Sequence, residues 1–316
     1  MERKELVLGT AQLGRDYGIA NLTGKPSMKE SFAIMQFALD NEINYFDSAY
    51  FYEDSEPRIG LFLKENPWYK DQLNIVTKMR PLFGEEFDEK IIRNRFYESL
   101  KRLGQDSIYS YLAHDFIDVK NHCKEVNKLF LQFKKEGLTE KIGVSIYEEE
   151  EVRFLLENFD FDLIQIPINI FNQRLYNHSV IEELKKRNIE IHVRSIFSQG
   201  LIFLNKSTEG AKRPTNKPWI APVDPDNKYE KFAKRLDIIC TEFGFSRAEL
   251  ALLFINDIKE IDKIVIGVVN PNHLQKDIKA LSDNKIKKYN IVKEHINWED
   301  FYIRDDNIIN IRNWRA

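Results

Sequence analysis

Eight short apolar segments, each followed by a stretch long enough for a helix, constrain this chain more than any other feature. They are LVLGT (6–10), NYFDSA (44–49), NIVTK (74–78), IYSYLAH (108–114), KIGVSI (141–146), LIQIPI (163–168), EIHVRSI (190–196) and KIVIGV (263–268). Most are rich in Ile and Val and apolar on both faces, as a parallel strand covered on both sides must be. Eight such β/α units, with no Gly/Ser/Pro-rich linker between them, predict an α/β fold. The expectation is a (β/α)8 TIM barrel forming a single domain over residues 1–316.

The intervening stretches carry helix signals. Ser27 and Glu30 have capping-box spacing, with Phe32, Met35 and Leu39 as an apolar stripe. Asp88 is a candidate N-cap for a helix bearing Ile92, Phe96, Leu100 and Leu103, stopped by Gly104. The acids Glu148 to Glu151 suit the positive end of a helix dipole, or equally a solvated face. Ser246 and Glu249 form another capping box, and Asn270-Pro271 starts a helix with Leu274, Ile278 and Leu281 facing inward. Residues 204–226, with four prolines, Trp219 and no periodicity, break the alternation and are a candidate lid; an ordinary surface loop is the plain alternative. The C-terminal extension, 282–316, carries Trp298, Phe301, Tyr302 and Trp314, and so is expected to pack on the barrel.

Composition removes several function classes. A net charge of −3 leaves no basic footprint for nucleic acid. No apolar run reaches the roughly 20 residues that span a bilayer, and MERKELVLGT contains no stretch of signal-peptide character. Cys123 and Cys240 stand far apart, and the six histidines form no HxH or HxxxH pair, so neither disulfide nor metal site is expected. The expectation is a cytoplasmic protein, a monomer or small homo-oligomer, acting on a small molecule. The first loop contains neither GxGxxG after a strand nor GxxxxGK[ST], which argues against a Rossmann or P-loop site.

Four titratable residues sit at or just beyond consecutive strand ends: Asp47, Tyr52, Lys78 and His114. In a parallel barrel those ends converge on one face. A free phenol titrates near about 10 and needs help to act as an acid. A lysine beside Tyr52 favours its anion, Asp47 fixes the lysine, and His114 orients a carbonyl oxygen or passes on a proton. Each has a bland reading: Asp47 as a turn cap, Tyr52 as a packed surface aromatic, His114 as a satisfied core histidine. A buried Lys78 is harder to dismiss, because an ammonium out of water needs a partner. Together they suit addition of hydride and proton to a carbonyl, with the hydride from a cofactor.

These residues resemble the aldo-keto reductase superfamily. DSAYFYEDSE is similar to its signature, in which Asp is followed five residues on by the catalytic Tyr; VTK (76–78) and LAH (112–114) match its lysine and histidine. KIGVSIY resembles its IGVSN strand, Gln165 stands at a nicotinamide-binding glutamine, and RSIFSQGL (194–201) is similar to the segment beside the cofactor. The likeness runs from Gly9 to about Leu281. It implies an NADP(H)-dependent enzyme, with NAD(H) as the alternative, in which Tyr52 is the acid, Lys78 and Asp47 tune it, and His114 orients the carbonyl. It further implies that Ser145 and Gln165 hold the nicotinamide carboxamide, with Gly9, Thr10 and Arg194 also at the cofactor. Ser195, Phe197, Gln199, Gly200 and Leu201 would wrap the pyrophosphate; Gly267, His273, Lys276 and Asp277 would meet the adenosine end.

There are departures from that pattern. Ile146 replaces a common Asn and cannot hydrogen-bond the carboxamide. Arg194 replaces a Tyr that stacks on nicotinamide, and a guanidinium can also stack. The basic pair that grips a 2′-phosphate has no obvious counterpart, with Lys276 as a substitute. Around the substrate, Ala11, Phe51, Arg80, Asp115 and Trp219 imply a polar, sugar-derived carbonyl with a negative group near Arg80, and so a place in carbohydrate metabolism. Two other readings stay open: a non-catalytic nucleotide-binding regulator or scaffold of the same fold, and a lyase using Lys78 as a Schiff base.

Overall fold

The computed structural model describes residues 2–176, 179–204 and 228–314. Eight parallel strands close on themselves in sequence order: β1 Glu5–Gly9, β2 Tyr45–Asp47, β3 Asn74–Met79, β4 Ile108–Ala113, β5 Thr139–Ser145, β6 Leu163–Pro167, β7 Glu190–Arg194 and β8 Lys263–Gly267. The closing seam pairs β1 with β8, from Glu5↔Lys263 to Gly9↔Gly267. The (β/α)8 barrel read from the eight segments is therefore the fold. β2 is shorter than expected, because Ser48 and Ala49 already belong to the loop; the Ser48 amide still donates to the Val76 carbonyl at 2.8 Å.

The helix signals act where the residues place them. Ser27 and Glu30 exchange bonds at the start of the helix Met28–Asp40, and Ser246 with Glu249 do so ahead of Arg247–Asp257. Asp88 accepts from the Lys90 and Ile91 amides, and Gly104 ends that helix at φ 66°, a left-handed cap glycine adopts at little cost. Asn270 caps the helix Pro271–Ala280. Two stripes are rotated from expectation. In the first helix Ile34 and Ala38 join Met35 and Leu39 in the core, while Phe32 is half-buried. In the last barrel helix Leu274 and Leu281 are buried and Ile278 half-buried, and the carboxylate of Asp277 takes an inner position. The acidic run 148–151 is not simply solvated: Glu151 is buried, and its Oε2 accepts from the Tyr147 and Glu148 amides.

Inside the barrel a small apolar cluster of Val76, Leu112 and Leu163 separates two polar ends. At the strand starts Glu190 gathers Tyr109, Lys141 and His192, and Lys263 bridges towards it from Glu5. At the strand ends lie Asp47, Lys78, Ser145, Gln165 and Arg194, facing the loops. The extension folds back over the barrel: Phe301 is buried, the Ile303 amide donates to the Phe171 carbonyl at 2.9 Å, and Arg312 pairs with Glu151 and Asp115. The candidate lid, with Trp219, lies outside the described residues except for Leu204. No helix among the described residues is long and apolar enough to cross a membrane.

Candidate active site

The loop after β2 is anchored before it presents any chemistry. The Thr10 hydroxyl donates to the Asp47 carbonyl at 2.8 Å, and both Thr10 and Ser48 reach the Ser55 hydroxyl, at 2.6 and 2.7 Å. Gly14 lets the short helix Ala11–Gly14 lie against this loop, since a Cβ there would fall 1.8 Å from the Tyr52 carbonyl oxygen. Below, Glu56 is held by the Thr77 hydroxyl and by Arg102, which fixes the helix that follows Tyr52. These supports were invisible to residue spacing, because each joins elements far apart in the chain.

On that platform, Lys78 and Asp47 form a buried ion pair. Lys78 Nζ donates to both Asp47 oxygens, at 2.7 and 2.8 Å, and to the Ser48 carbonyl at 2.8 Å. Gln165 Nε2 donates to Asp47 Oδ2 at 2.5 Å. Burial pushes the ammonium's pKa down, and Asp47 opposes this. Nζ stands 5.2 Å from the centre of the Tyr52 ring, and His114 meets that ring edge-on with centroids 5.5 Å apart.

The phenol is not acidified in this state. Burial, and then the Asp47 charge, raise Tyr52 well above its ordinary value, with Arg194 acting the other way. Lys78, whose ammonium is paired with Asp47, does not outweigh burial and the Asp47 charge. Tyr52 is thus held as a protonated phenol. His114 is pushed well below its usual range by burial and by the charges of Lys78, Arg194 and Arg15. It is a neutral imidazole, able to donate one N–H, and its Nδ1 has no hydrogen-bond partner among the described residues.

Arg194 extends along the opposite wall. Its Nε donates to Ser145 Oγ at 3.2 Å and an Nη to the Ile146 carbonyl at 2.9 Å, while its guanidinium stacks 4.3 Å over the Tyr147 ring. The Arg312 guanidinium also lies over that ring, at 4.1 Å. The place beside Ser145 is therefore occupied by the Arg194 guanidinium, which stacks on the Tyr147 ring.

All four acid/base candidates open onto one cleft of about 360 Å³. Also in its wall are Gly9, Ala11, Phe51, Ser145, Arg194, Ser195, Phe197, Gln199, Gly200, Gly267 and His273. Thr10, Gln165 and Leu201 lie buried behind the wall, and Asp277 sits under its helix. Lys276 is exposed on the outer face. Two substrate candidates are not brought to the cleft: Arg80 pairs with Glu85 at 3.1 Å, and Asp115 caps the next helix and binds Arg312. Residue patterns missed Gln12, Arg15, Tyr17, Tyr147 and Ile311, which the first loop, the β5 loop and the tail deliver to the wall.

A nicotinamide cofactor fits what is present. Gly9 and Gly267 leave bare backbone at the closing seam, and Gln165 Oε1, beside Ser145, is a buried acceptor with no hydrogen-bond partner among the described residues.

The model of the Aldo/keto reductase family matches residues 5–296. The chain is 22% identical to the L-glyceraldehyde 3-phosphate reductase of Escherichia coli K12, over 81% of this chain and 80% of that protein. It is 30% identical to a methylglyoxal reductase of Escherichia coli O157:H7 over a shorter stretch, 42% of this chain and 46% of the relative. Among solved structures, a Bacillus halodurans aldo-keto reductase in its holo form superimposes with a TM-score of 0.66 at 20% identity, covering 92% of this chain and 93% of the other. That likeness carries the fold.

Proposed function

The chain belongs to the Aldo/keto reductase family, and from that premise we propose that it reduces an aldehyde or ketone, with Tyr52 giving the proton to the carbonyl oxygen. The observation that carries this reading is the arrangement of a buried protonated Tyr52 beside a neutral His114 and a paired Lys78–Asp47, all on one cleft wall. A nicotinamide cofactor, when bound, supplies the hydride.

The protein's own part is positional and electrostatic. His114 offers an N–H to the carbonyl oxygen, and Tyr52 stands edge-on to it, so that one oxygen atom can meet both. As negative charge grows on that oxygen, Tyr52 hands over its proton, and the nearby cations Lys78 and Arg194 stabilise the phenolate left behind. Ser145 and Gln165 are assigned to the nicotinamide amide, and the 195–201 segment to the pyrophosphate. Gly267 and His273, with Asp277 and Lys276 beyond them, are assigned to the adenosine half. NADP(H) is favoured on the family likeness, with NAD(H) as the alternative, and Lys276 stands exposed outside the cleft wall. The substrate proposed is a sugar-derived carbonyl.

The test is consumption of NADPH and NADH, run in parallel with polar aldehydes and sugar ketones, on wild type and Tyr52→Phe. The variant should lose about 10²–10⁴ in kcat, while cofactor binding, followed by fluorescence, persists. A variant as active as wild type would remove Tyr52 from the proton-donor role.

A further inference from the structure

We infer that Arg194 makes this cleft discriminate by cofactor charge, so that it holds the neutral, reduced nicotinamide about tenfold or more tightly than the cationic, oxidised one. The inference rests on the nicotinamide reading above and adds which redox form the protein retains. Arg194 lies half-buried in the cleft wall. Every group that holds it is neutral: Ser145 Oγ at 3.2 Å, the Ile146 carbonyl at 2.9 Å, Ser195 Oγ at 3.4 Å and the Tyr147 ring at 4.3 Å. Among the described residues no carboxylate forms an ion pair with it. Arg312, the other guanidinium on Tyr147, is by contrast paired with Glu151 and Asp115.

A hydride donor must stand about 3–3.5 Å from the carbonyl carbon whose oxygen meets Tyr52 and His114. That puts the nicotinamide ring beside those two side chains, in reach of the same guanidinium, whose charge bears on Tyr52, His114 and Lys78 alike. The nearest titratable groups do not offset it. Lys78 and Asp47 cancel each other, bonded through both carboxylate oxygens, and His114 is neutral. Loss of hydride leaves the ring with one positive charge, against a wall that already carries one. The pyrophosphate and adenosine are the same in both forms, so their contacts cancel in the comparison, and only the differential interaction counts. During the transfer the hydride goes to the carbonyl carbon and the Tyr52 proton to its oxygen, so the phenolate on Tyr52 offsets the new cation. Once Tyr52 has taken a proton back from water, Arg194 faces the oxidised ring without that offset, which favours its release.

The experiment is isothermal titration calorimetry on the full chain, giving Kd for NADPH against NADP+ and for NADH against NAD+. Wild type, Arg194→Lys, Arg194→Gln and Arg194→Met are run side by side. Each ratio is taken within a pair, so the 2′-phosphate cancels. In whichever pair binds, wild type should hold the reduced form about tenfold or more tightly than the oxidised, as like charges several ångströms apart in a partly buried site allow. Either charge-free variant that folds should bring the two affinities close together, chiefly by tightening the oxidised form, and Arg194→Lys should keep most of the difference. Equal affinities in wild type, a difference that survives removal of the charge, or one lost as fully in Arg194→Lys would overturn the assignment. Each of those results leaves the reductase reading, which Tyr52→Phe tests, standing. Binding of neither form by wild type would remove the nicotinamide reading, and this inference with it.

Discussion

Lys78 is the residue whose loss should cost the fold most. Its ammonium is buried, and removing it strands the Asp47 carboxylate with Gln165 as a remaining donor. Lys78→Met is expected to lower stability by about 3–5 kcal/mol, measured by urea unfolding. Asp277 behaves in the opposite sense. Burial raises its carboxyl to about 7, above the free value of 3.8. A carboxyl raised in the folded state favours folding at low pH, and that advantage is lost as pH climbs from the unfolded towards the folded value. Wild type should therefore lose stability between about pH 4 and pH 7 through this group, by up to roughly 4 kcal/mol. Asp277→Asn should flatten that slope; melting temperatures with equal slopes in the two proteins would show that Asp277 is not strained. His114 works from the acid side. Its imidazole is depressed, so protonation in the unfolded chain should drain stability as pH falls below about 6.5. His114→Gln should be less sensitive to acid over that range, when both are followed by thermal melts.

At the scale of the element, the loop between β2 and its helix is a supported arm rather than a free segment. Gly14→Ala would drive a methyl group into the Tyr52 carbonyl. Such overpacking costs about 1–3 kcal/mol, and kcat should fall further than the melting temperature alone accounts for, because the displaced atom belongs to the residue proposed as proton donor. Melts and steady-state rates on the same preparation test this. Much of this level was legible beforehand: Ser27/Glu30, Asp88, Gly104, Ser246/Glu249 and Asn270 are local signals, acting over three or four residues, and all act as caps or stops. What local signals do not carry is which side of a helix meets the barrel. Hence Phe32 and Ile278 are only half-buried, and a carboxylate takes the place expected of an aliphatic side chain.

For the whole molecule, the barrel and the gathering of Asp47, Tyr52, Lys78 and His114 on one cleft were readable because both repeat: one apolar strand and one chemically distinct residue near its end, unit after unit. Arg15, Tyr147 and Ile311 were not, since each arrives at the cleft through a loop or tail whose path no periodicity encodes. Arg80 shows the converse, a residue at the right strand end drawn away by Glu85, five positions along.

The seam between β1 and β8 sets a schedule as well as a shape. Gly9 and Gly267 face each other only when the first strand is joined by the last, more than 250 residues downstream. A ribosome must therefore release most of the chain before the cleft has its second wall, and until then β1 waits with an open edge. Contacts that distant slow folding and leave the growing polypeptide open to wrong pairings. Activity should be the last property this protein acquires, and a growing chain stalled before Lys263 should be a better client for a chaperone than for a substrate.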